Sequence, residues 1–264
     1  MLETKGLTIR FGGHVAVDHV SCAFAPGTLT AIVGPNGAGK TTYFNLISGQ
    51  LPASEGSVTL DGQDITTLPA PLRTRRGLGR AFQLTQLFPN LTVRENVRLA
   101  IQAREAGRGQ GGGWGGVDLF RVWLDRRAWI DEAQAILAQV RLAGQADLHA
   151  SALPHGDQRK LEVAMLIALD PKVFMFDEPT AGMSVDEVPV ILDLIRGLKT
   201  RKDCTILLVE HKMDVVRELA DRIIVLHNGE LVADGDPATV IASPVVQQAY
   251  LGINPEEKEE EAAA

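Results

Sequence analysis

Cysteine is nearly absent from this chain: Cys22 and Cys204 are the only two. Both stand in apolar or strand-like surroundings, which reads as a pair of reduced structural thiols and not as a disulfide framework or a redox centre. Long hydrophobic runs are missing as well. Runs such as Val173 to Phe176 and Thr205 to Val209 are of buried-strand size, and even the seven apolar residues Val163 to Leu169 fall far below the roughly 18 needed to cross a bilayer. Positive charge is in deficit, with 26 Lys and Arg against 33 Asp and Glu and a net charge of −7. The broad positive field that draws proteins to nucleic acid is therefore lacking, and DNA and RNA are not expected partners. No basic, apolar, small-residue leader opens the sequence; Met1 to Lys5 runs straight into a strand pattern, so a cytoplasmic location is expected. Five glutamates and one lysine in Glu256 to Glu261 account for −4 of the −7. The body is thus close to neutral, and 253–264 is expected to be a solvated, disordered acidic tail.

What is present is ordinary globular composition, 264 residues with 45% hydrophobic, enough for one large domain with a subdomain. Its most informative stretch is Gly34-Pro35-Asn36-Gly37-Ala38-Gly39-Lys40-Thr41. The Gly-x4-Gly-Lys-Thr spacing lies between an apolar strand, Leu29 to Val33, and a helical run from Thr42 to Ile47, the context a phosphate-binding loop needs. Glycines let successive backbone N–H groups face inward, and the helix N-terminus adds positive potential. Lys40 supplies a mobile cation, Thr41 offers a hydroxyl to magnesium, and Thr42 continues the cradle. A chance match is expected in roughly one chain in a hundred of this size.

The first stretch, to about Leu60, alternates as strands and hairpins around Gly12-Gly13 and Pro26-Gly27. From about Leu91 to Leu148 the pattern turns helical, with Thr92 as N-cap and Ile130 to Leu142 spaced near 3.6. Within it, Gly107 to Gly116 holds seven glycines around Trp114 and is expected to be a loop. After Pro154 come a buried helix over Leu161 to Leu169, a strand Lys172 to Phe176, a helix Val185 to Thr200, a strand Cys204 to Glu210, a helix Val215 to Leu219 and a strand Arg222 to Leu226. The last ends in a hairpin turn, His227 to Glu230. Helices alternating with uninterrupted apolar strands imply an α/β fold with a parallel sheet covered on both faces.

Asp177 and Glu178 end the apolar strand Val173 to Phe176, where strand ends and the phosphate loop open into one crevice. In phosphoryl transfer, which is mostly positioning and charge stabilisation, Asp177 would hold magnesium and Glu178 would orient the attacking water.

With these motifs in this order, the chain resembles the ATP-binding subunit of ABC transporters from about Leu2 to Gly252. The resemblance implies a P-loop ATPase whose parallel core sheet and N-terminal antiparallel β subdomain span 1–90 and 155–252, with a helical signature subdomain over 91–154. Phe11 matches the aromatic residue that stacks on adenine. Gln83 resembles the glutamine that touches magnesium and the attacking water. Leu153-Pro154-His155-Gly156-Asp157-Gln158 aligns with the signature loop, which meets the γ-phosphate bound by a partner subunit, so two subunits are required. Ala181 to Ser184 resembles the dimer-contacting loop, and His211 matches the switch histidine. ATP and Mg2+ are the implied cofactors. Three residues depart from the family pattern: Pro154 where a serine is usual, Ser184 for aspartate, and Lys212 for the common acidic neighbour of His211.

Phe11-Gly12-Gly13, the extended helical insert, His155 to Glu162, Pro179 to Met183 and the ending Ala249-Tyr250-Leu251-Gly252 look most like importers of branched-chain amino acids, a group that also handles urea and other amides. The resemblance implies a homodimer or a heterodimer with a sister ATPase, membrane permease subunits, an extracytoplasmic binding protein acting indirectly, and a place on the inner face of the cell membrane. A soluble ABC ATPase of DNA repair or translation is the alternative from another class. It is disfavoured because such proteins carry two cassettes, a long coiled coil or basic segments.

Overall fold

The computed structural model describes residues 1–81, 87–108, 119–244 and 246–247, with side chains for all but 107–108 and 119–126. Gln83, 109–116 of the glycine-rich stretch, Ala249 to Gly252 and the acidic tail lie outside the described residues. Along the chain, β1 (Leu2–Phe11) and β2 (His14–Phe24) form a hairpin, then β3 (Leu29–Val33) leads through a loop to α1 (Lys40–Ser48). β4 (Glu55–Leu60), β5 (Gln63–Asp64), α2 (Ala70–Arg75) and β6 (Leu78–Ala81) follow. Three long helices come next: α3 (Val93–Arg108), α4 (Leu119–Gln139) and α5 (His155–Leu169). Strands and helices then alternate through β7 (Val173–Asp177), α6 (Val188–Lys199), β8 (Thr205–Val209), α7 (Met213–Leu219), β9 (Arg222–His227), β10 (Glu230–Gly235) and α8 (Pro237–Ala242).

These strands form two sheets. The first is antiparallel, in the order β2-β1-β4-β5; the second runs β10-β9-β3-β8-β7-β6, parallel except for β10. The exception has a local cause. Asn228 and Gly229 both take positive φ, 49° and 83°, the pair of left-handed residues a tight hairpin needs, so β10 folds back on β9.

Side-chain alternation gives the second sheet two buried faces. Met175, Leu207, Val209, Ile224 and Leu226 point toward α1 and the antiparallel sheet, packing with Tyr43, Phe44, Ile47, Val17 and Phe24. Their neighbours Phe174, Phe176, Ile206 and Leu208 point the other way, onto Val163, Leu166, Ile191, Ile195 and Leu219 of α5, α6 and α7. That arrangement is why these strands read as continuous apolar runs. The helical segment builds a third cluster of its own, with Val93, Val97 and Ile101 packing on Ile136, Leu137, Leu161 and Ala164.

The boundaries of several helices differ from the sequence expectation: α5 starts at His155, six residues ahead of Leu161, and α7 at Met213, two ahead of Val215. Thr92 caps α3 as expected, its hydroxyl accepting from the Glu95 N–H at 3.1 Å, but the helix continues to Arg108, just inside the glycine-rich stretch. α6 starts at Val188 and not at Val185. The Ser184 N–H and hydroxyl donate to Glu187 Oε2 at 3.0 and 2.9 Å, which closes a capping turn ahead of the helix. Cys22 and Cys204 are both free and buried, and burial raises both thiols above their ordinary pKa. No described helix is long and apolar enough to cross a membrane.

Arg73, only 2% exposed, staples the end of α1 to the segment before α2. Its guanidinium donates to the carbonyls of Leu46 and Ile47 at 2.7 Å each, of Leu68 at 2.8 Å and of Thr66 at 2.6 Å. It thus supplies the last turn of α1 with donors and a positive charge where the helix dipole favours one. Replacing it strands buried carbonyls, so Arg73→Ala is expected to cost about 3 kcal/mol in denaturant unfolding. Arg73→Lys should recover only part of this, because an ammonium lacks the planar fork.

Candidate functional site

The parallel register brings four strand ends to one edge. Val33 of β3 pairs with Val225 of β9, Ile32 pairs with Val209 of β8, and Val209 pairs with Asp177 of β7. The 34–41 loop, the Asp177-Glu178 pair, the Glu210-His211 pair and the Asn228-Gly229 turn therefore leave the sheet side by side.

The loop is held from both sides. Its Ala38 carbonyl accepts from the Gly229 N–H at 3.1 Å, and the Gly229 carbonyl accepts from the Asp18 N–H of β2 at 2.9 Å. A Cβ on Gly39, at φ 95°, would stand 2.5 Å from the Ala16 carbonyl, and one on Gly34 would run into the Leu226 carbonyl. Gly37, at φ 81°, stands at the open tip with nothing within 4 Å of a Cβ, next to exposed Asn36. Lys40 folds back over the loop, donating to the carbonyls of Gly34 at 2.7 Å and Pro35 at 2.9 Å. Burial lowers the pKa of its ammonium, against the opposing pull of Glu178 and Asp177. Thr41 and Thr42 lie in the first turn of α1, Thr41 exposed and Thr42 half-buried. Phe11 ends β1, 49% exposed, in the hairpin whose second strand touches the loop.

Asp177 is buried, and one of its oxygens is taken: Arg80 Nη2 donates to Oδ2 at 2.7 Å. Its Oδ1 has no hydrogen-bond partner. Glu178 sits just past it at φ 47°, a left-handed conformation in which a bulky residue is strained. Its N–H still donates to the Val209 carbonyl at 2.9 Å, which keeps the strained residue tied to β8. His211 Nδ1 stands 3.9 Å from Glu178 Oε1 and 3.8 Å from Glu210 Oε2. Glu210, fully buried, accepts from the Thr180 hydroxyl at 2.7 Å and from the His211 N–H at 3.1 Å. It thereby ties the segment after Glu178 to the segment carrying His211.

A match to known proteins accompanies this geometry. Residues 17–181 match the family described as ABC transporter. The chain belongs to the ABC transporter family. It is 37% identical to the high-affinity branched-chain amino acid transport ATP-binding protein LivG of Escherichia coli K12, over 96% of this chain and 98% of that protein. It is equally similar, 37% over the same shares, to the corresponding BraF of Pseudomonas aeruginosa. Among solved structures, the ADP conformation of MJ1267, an ATP-binding cassette of an ABC transporter, superposes with a TM-score of 0.77 at 29% identity over 96% of this chain and 99% of that one. A dimeric cassette, MJ0796 bound to ADP and Pi, gives 0.74 at 25% identity over 90% and 99%. The chain is a nucleotide-binding ATPase cassette of this family.

The segment that resembles the signature loop surrounds the start of α5. Pro154 precedes the helix at φ −56°, ψ 156° and offers no side-chain cap. His155, Gly156 and Asp157 form the first turn. The Asp157 carboxylate turns inward, accepting from Lys160 Nζ at 2.7 Å and Gln145 Nε2 at 3.0 Å, and the Leu153 side chain is buried in the helical cluster. Both side chains are thus engaged within the protein. Lys160 also reaches Glu187 Oε1 at 3.3 Å, and a Cβ on Gly156 would collide with that carboxylate. The Ser184 N–H, then its hydroxyl, then Lys160 hold Glu187 below the usual carboxylate range. A Cβ on Gly182 would lie 3.8 Å from His155, so the 181–184 loop lies against the start of α5.

Arg80, Glu187 and Glu210 were not picked out by motif. Glu210 carried the one usable signal, an acid at the end of an otherwise apolar strand.

The two loop glycines separate packing from conformation. Gly39→Ala pairs a positive φ with a clash on β2, while Gly37→Ala brings only the conformational cost, about 1 kcal/mol. Thermal unfolding should show Gly39→Ala losing the larger amount of stability and Gly37→Ala losing only about 1 kcal/mol.

Proposed function

We propose that this chain is the ATP-hydrolysing subunit of an importer that takes up branched-chain amino acids. In this reading it works as a dimer, with itself or a sister ATPase, and is attached to membrane permease subunits at the inner face of the cell membrane. An extracytoplasmic binding protein delivers the cargo to the permease. What carries the cargo assignment is the end-to-end similarity to LivG and BraF, since no residue of an ATPase subunit touches the transported molecule.

The residue roles follow from the crevice. The glycine loop and Lys40 cradle the phosphates: the bonds that Lys40 makes to Gly34 and Pro35 can be exchanged for phosphate oxygens without moving the backbone. Phe11, half-exposed at the end of β1, offers a face for adenine. The protein fits magnesium in the way that ion is usually held, by few side chains plus substrate phosphates. Asp177 Oδ1 is buried without a partner, the Thr41 hydroxyl heads α1, and no cluster of three or more His, Cys, Asp or Glu that could cage a metal occurs among the described residues. Bound there with the nucleotide, magnesium would neutralise the charge that develops on the phosphates. Gln83 is assigned to the same ion and to the attacking water by the family resemblance alone.

Glu178 accepts a proton from the attacking water, and His211, whose Nδ1 stands 3.9 Å from that carboxylate, lies on the same side of the crevice and donates to the γ-phosphate. Backbone N–H groups of His155 and Gly156, at the positive end of α5, meet the γ-phosphate held by the partner subunit. Pro154 has no hydroxyl to add, so in this chain the signature surface acts through backbone and dipole. ATP bridging the two subunits closes the dimer; loss of the γ-phosphate removes the bridge, and reopening resets the permease.

Glu178→Gln keeps the shape of the site and removes its base. Turnover should fall roughly 10²-fold or more, with ATP affinity retained and an ATP-dependent dimer accumulating on size exclusion; undiminished turnover would refute the role. For the machine as a whole, tagged protein purified from detergent-solubilised native membranes should bring polytopic permease subunits with it. Vesicles reconstituted with them and their binding protein should accumulate leucine. Uptake of urea instead would move the cargo assignment, and recovery of ribosomal or DNA-repair components alone would overturn the transport reading.

A further inference from the structure

Arg80 belongs to β6, the edge strand beside β7, and its side chain, 6% exposed, runs inward between β7 and α1. Nη1 donates to Asn45 Oδ1 at 2.7 Å and to Ser48 Oγ at 2.9 Å, both on α1. Nη2 donates to Asp177 Oδ2 at 2.7 Å, and the guanidinium lies over the Phe44 ring with 5.5 Å between Cζ and the centroid. One planar group therefore joins three segments: the strand it comes from, the helix that begins at the phosphate loop, and the strand that ends in the acidic pair. A lysine could not do this, because an ammonium lacks both the fork that reaches separated acceptors and the flat face that stacks on an aromatic ring.

The division of the Asp177 carboxylate is the telling detail. Oδ2 is occupied by Arg80 while Oδ1, also buried, has no partner. Most buried side-chain polar atoms have a partner, so an orphaned carboxylate oxygen at the edge of the phosphate crevice asks for one, and a cation is the group that would supply it. We infer that Arg80 is a positioning residue: by taking Oδ2 and anchoring to Asn45 and Ser48, it locks the Asp177 rotamer relative to α1 and leaves Oδ1 as the oxygen presented to magnesium. The inference rests on the assignment of Asp177 to magnesium. It makes the metal-dependent part of nucleotide binding sensitive to Arg80, while the metal-free part, carried by the glycine loop and Lys40, is not.

Arg80→Lys and Arg80→Gln test this with a fluorescent ATP analogue titrated in excess EDTA and again in excess Mg2+. The readout is the ratio of the two affinities, which needs no turnover. The ratio is expected to fall by roughly 10- to 100-fold, the usual loss when an outer partner of a metal ligand is removed, with EDTA affinity close to wild type in the variants that fold. An unchanged ratio in either folded variant overturns the inference, and so does a parallel loss of both affinities, the mark of a merely structural ion pair. A wild-type ratio of unity would instead refute the magnesium assignment itself. Removing Arg80 risks unfolding, since it strands a buried carboxylate. Asn45→Ala removes one of its anchors without stranding a charge and should lower the ratio by a smaller factor. Should both Arg80 variants fail to fold, an unchanged ratio in Asn45→Ala overturns the inference.

Discussion

The parallel hydrogen-bond ladder that sets Val33 against Val225 and Asp177 against Val209 is the constraint on which the rest of this protein depends. In a parallel sheet every strand points the same way, so the segments after β3, β7, β8 and β9 leave at one edge although they are far apart in the chain. A phosphate-binding loop, an acidic pair, a histidine and a glycine turn become neighbours through backbone pairing alone. Both faces of the sheet must then be covered, and the antiparallel sheet on one side and α5, α6 and α7 on the other do so.

Gathering charge at that edge has a cost, and the structure meets it with specific partners. Asp177 and Glu210 are buried carboxylates, and each is hydrogen-bonded to a group from another segment, Arg80 for the first and Thr180 for the second. Lys40 is held by two carbonyls of its own loop. Glu178 alone carries conformational strain, and it is the half-exposed member of the set. The pattern suits chemistry in which the deeper groups stay put while Glu178 and His211 meet the nucleotide.

The departures from the family pattern have local structural consequences. Ser184 cannot supply a carboxylate, but it closes a turn with Glu187, which in turn holds Lys160 beside Asp157. Lys212, standing at the N-cap of α7, has no acceptor for the first-turn N–H groups and makes no side-chain cap. Pro154 similarly leaves α5 uncapped by a side chain. At two of the three positions a helix start thus lacks a side-chain cap.

Much of the fold was legible before any coordinate. The apolar runs from Leu29 to Leu226 marked the core strands, Gly12-Gly13 and Asn228-Gly229 marked the hairpins, and Gly34 to Thr41 announced the loop, because each signal is a spacing between residues close in the chain. Asp177 and Glu178 were legible for the same reason, as acids ending an apolar strand. Arg73, Arg80, Glu187 and Glu210 were not. A single charged residue in sequence reads as solvated surface, and what buries it, such as the carbonyls of Leu46 and Ile47 for Arg73 or Asp177 for Arg80, comes from another part of the chain. By itself the sequence marked the groups proposed here to bind phosphate and to carry the proton. Only the tertiary structure decided which buried charges hold those groups in place, because a charge is stable in the interior only against partners that folding brings to it.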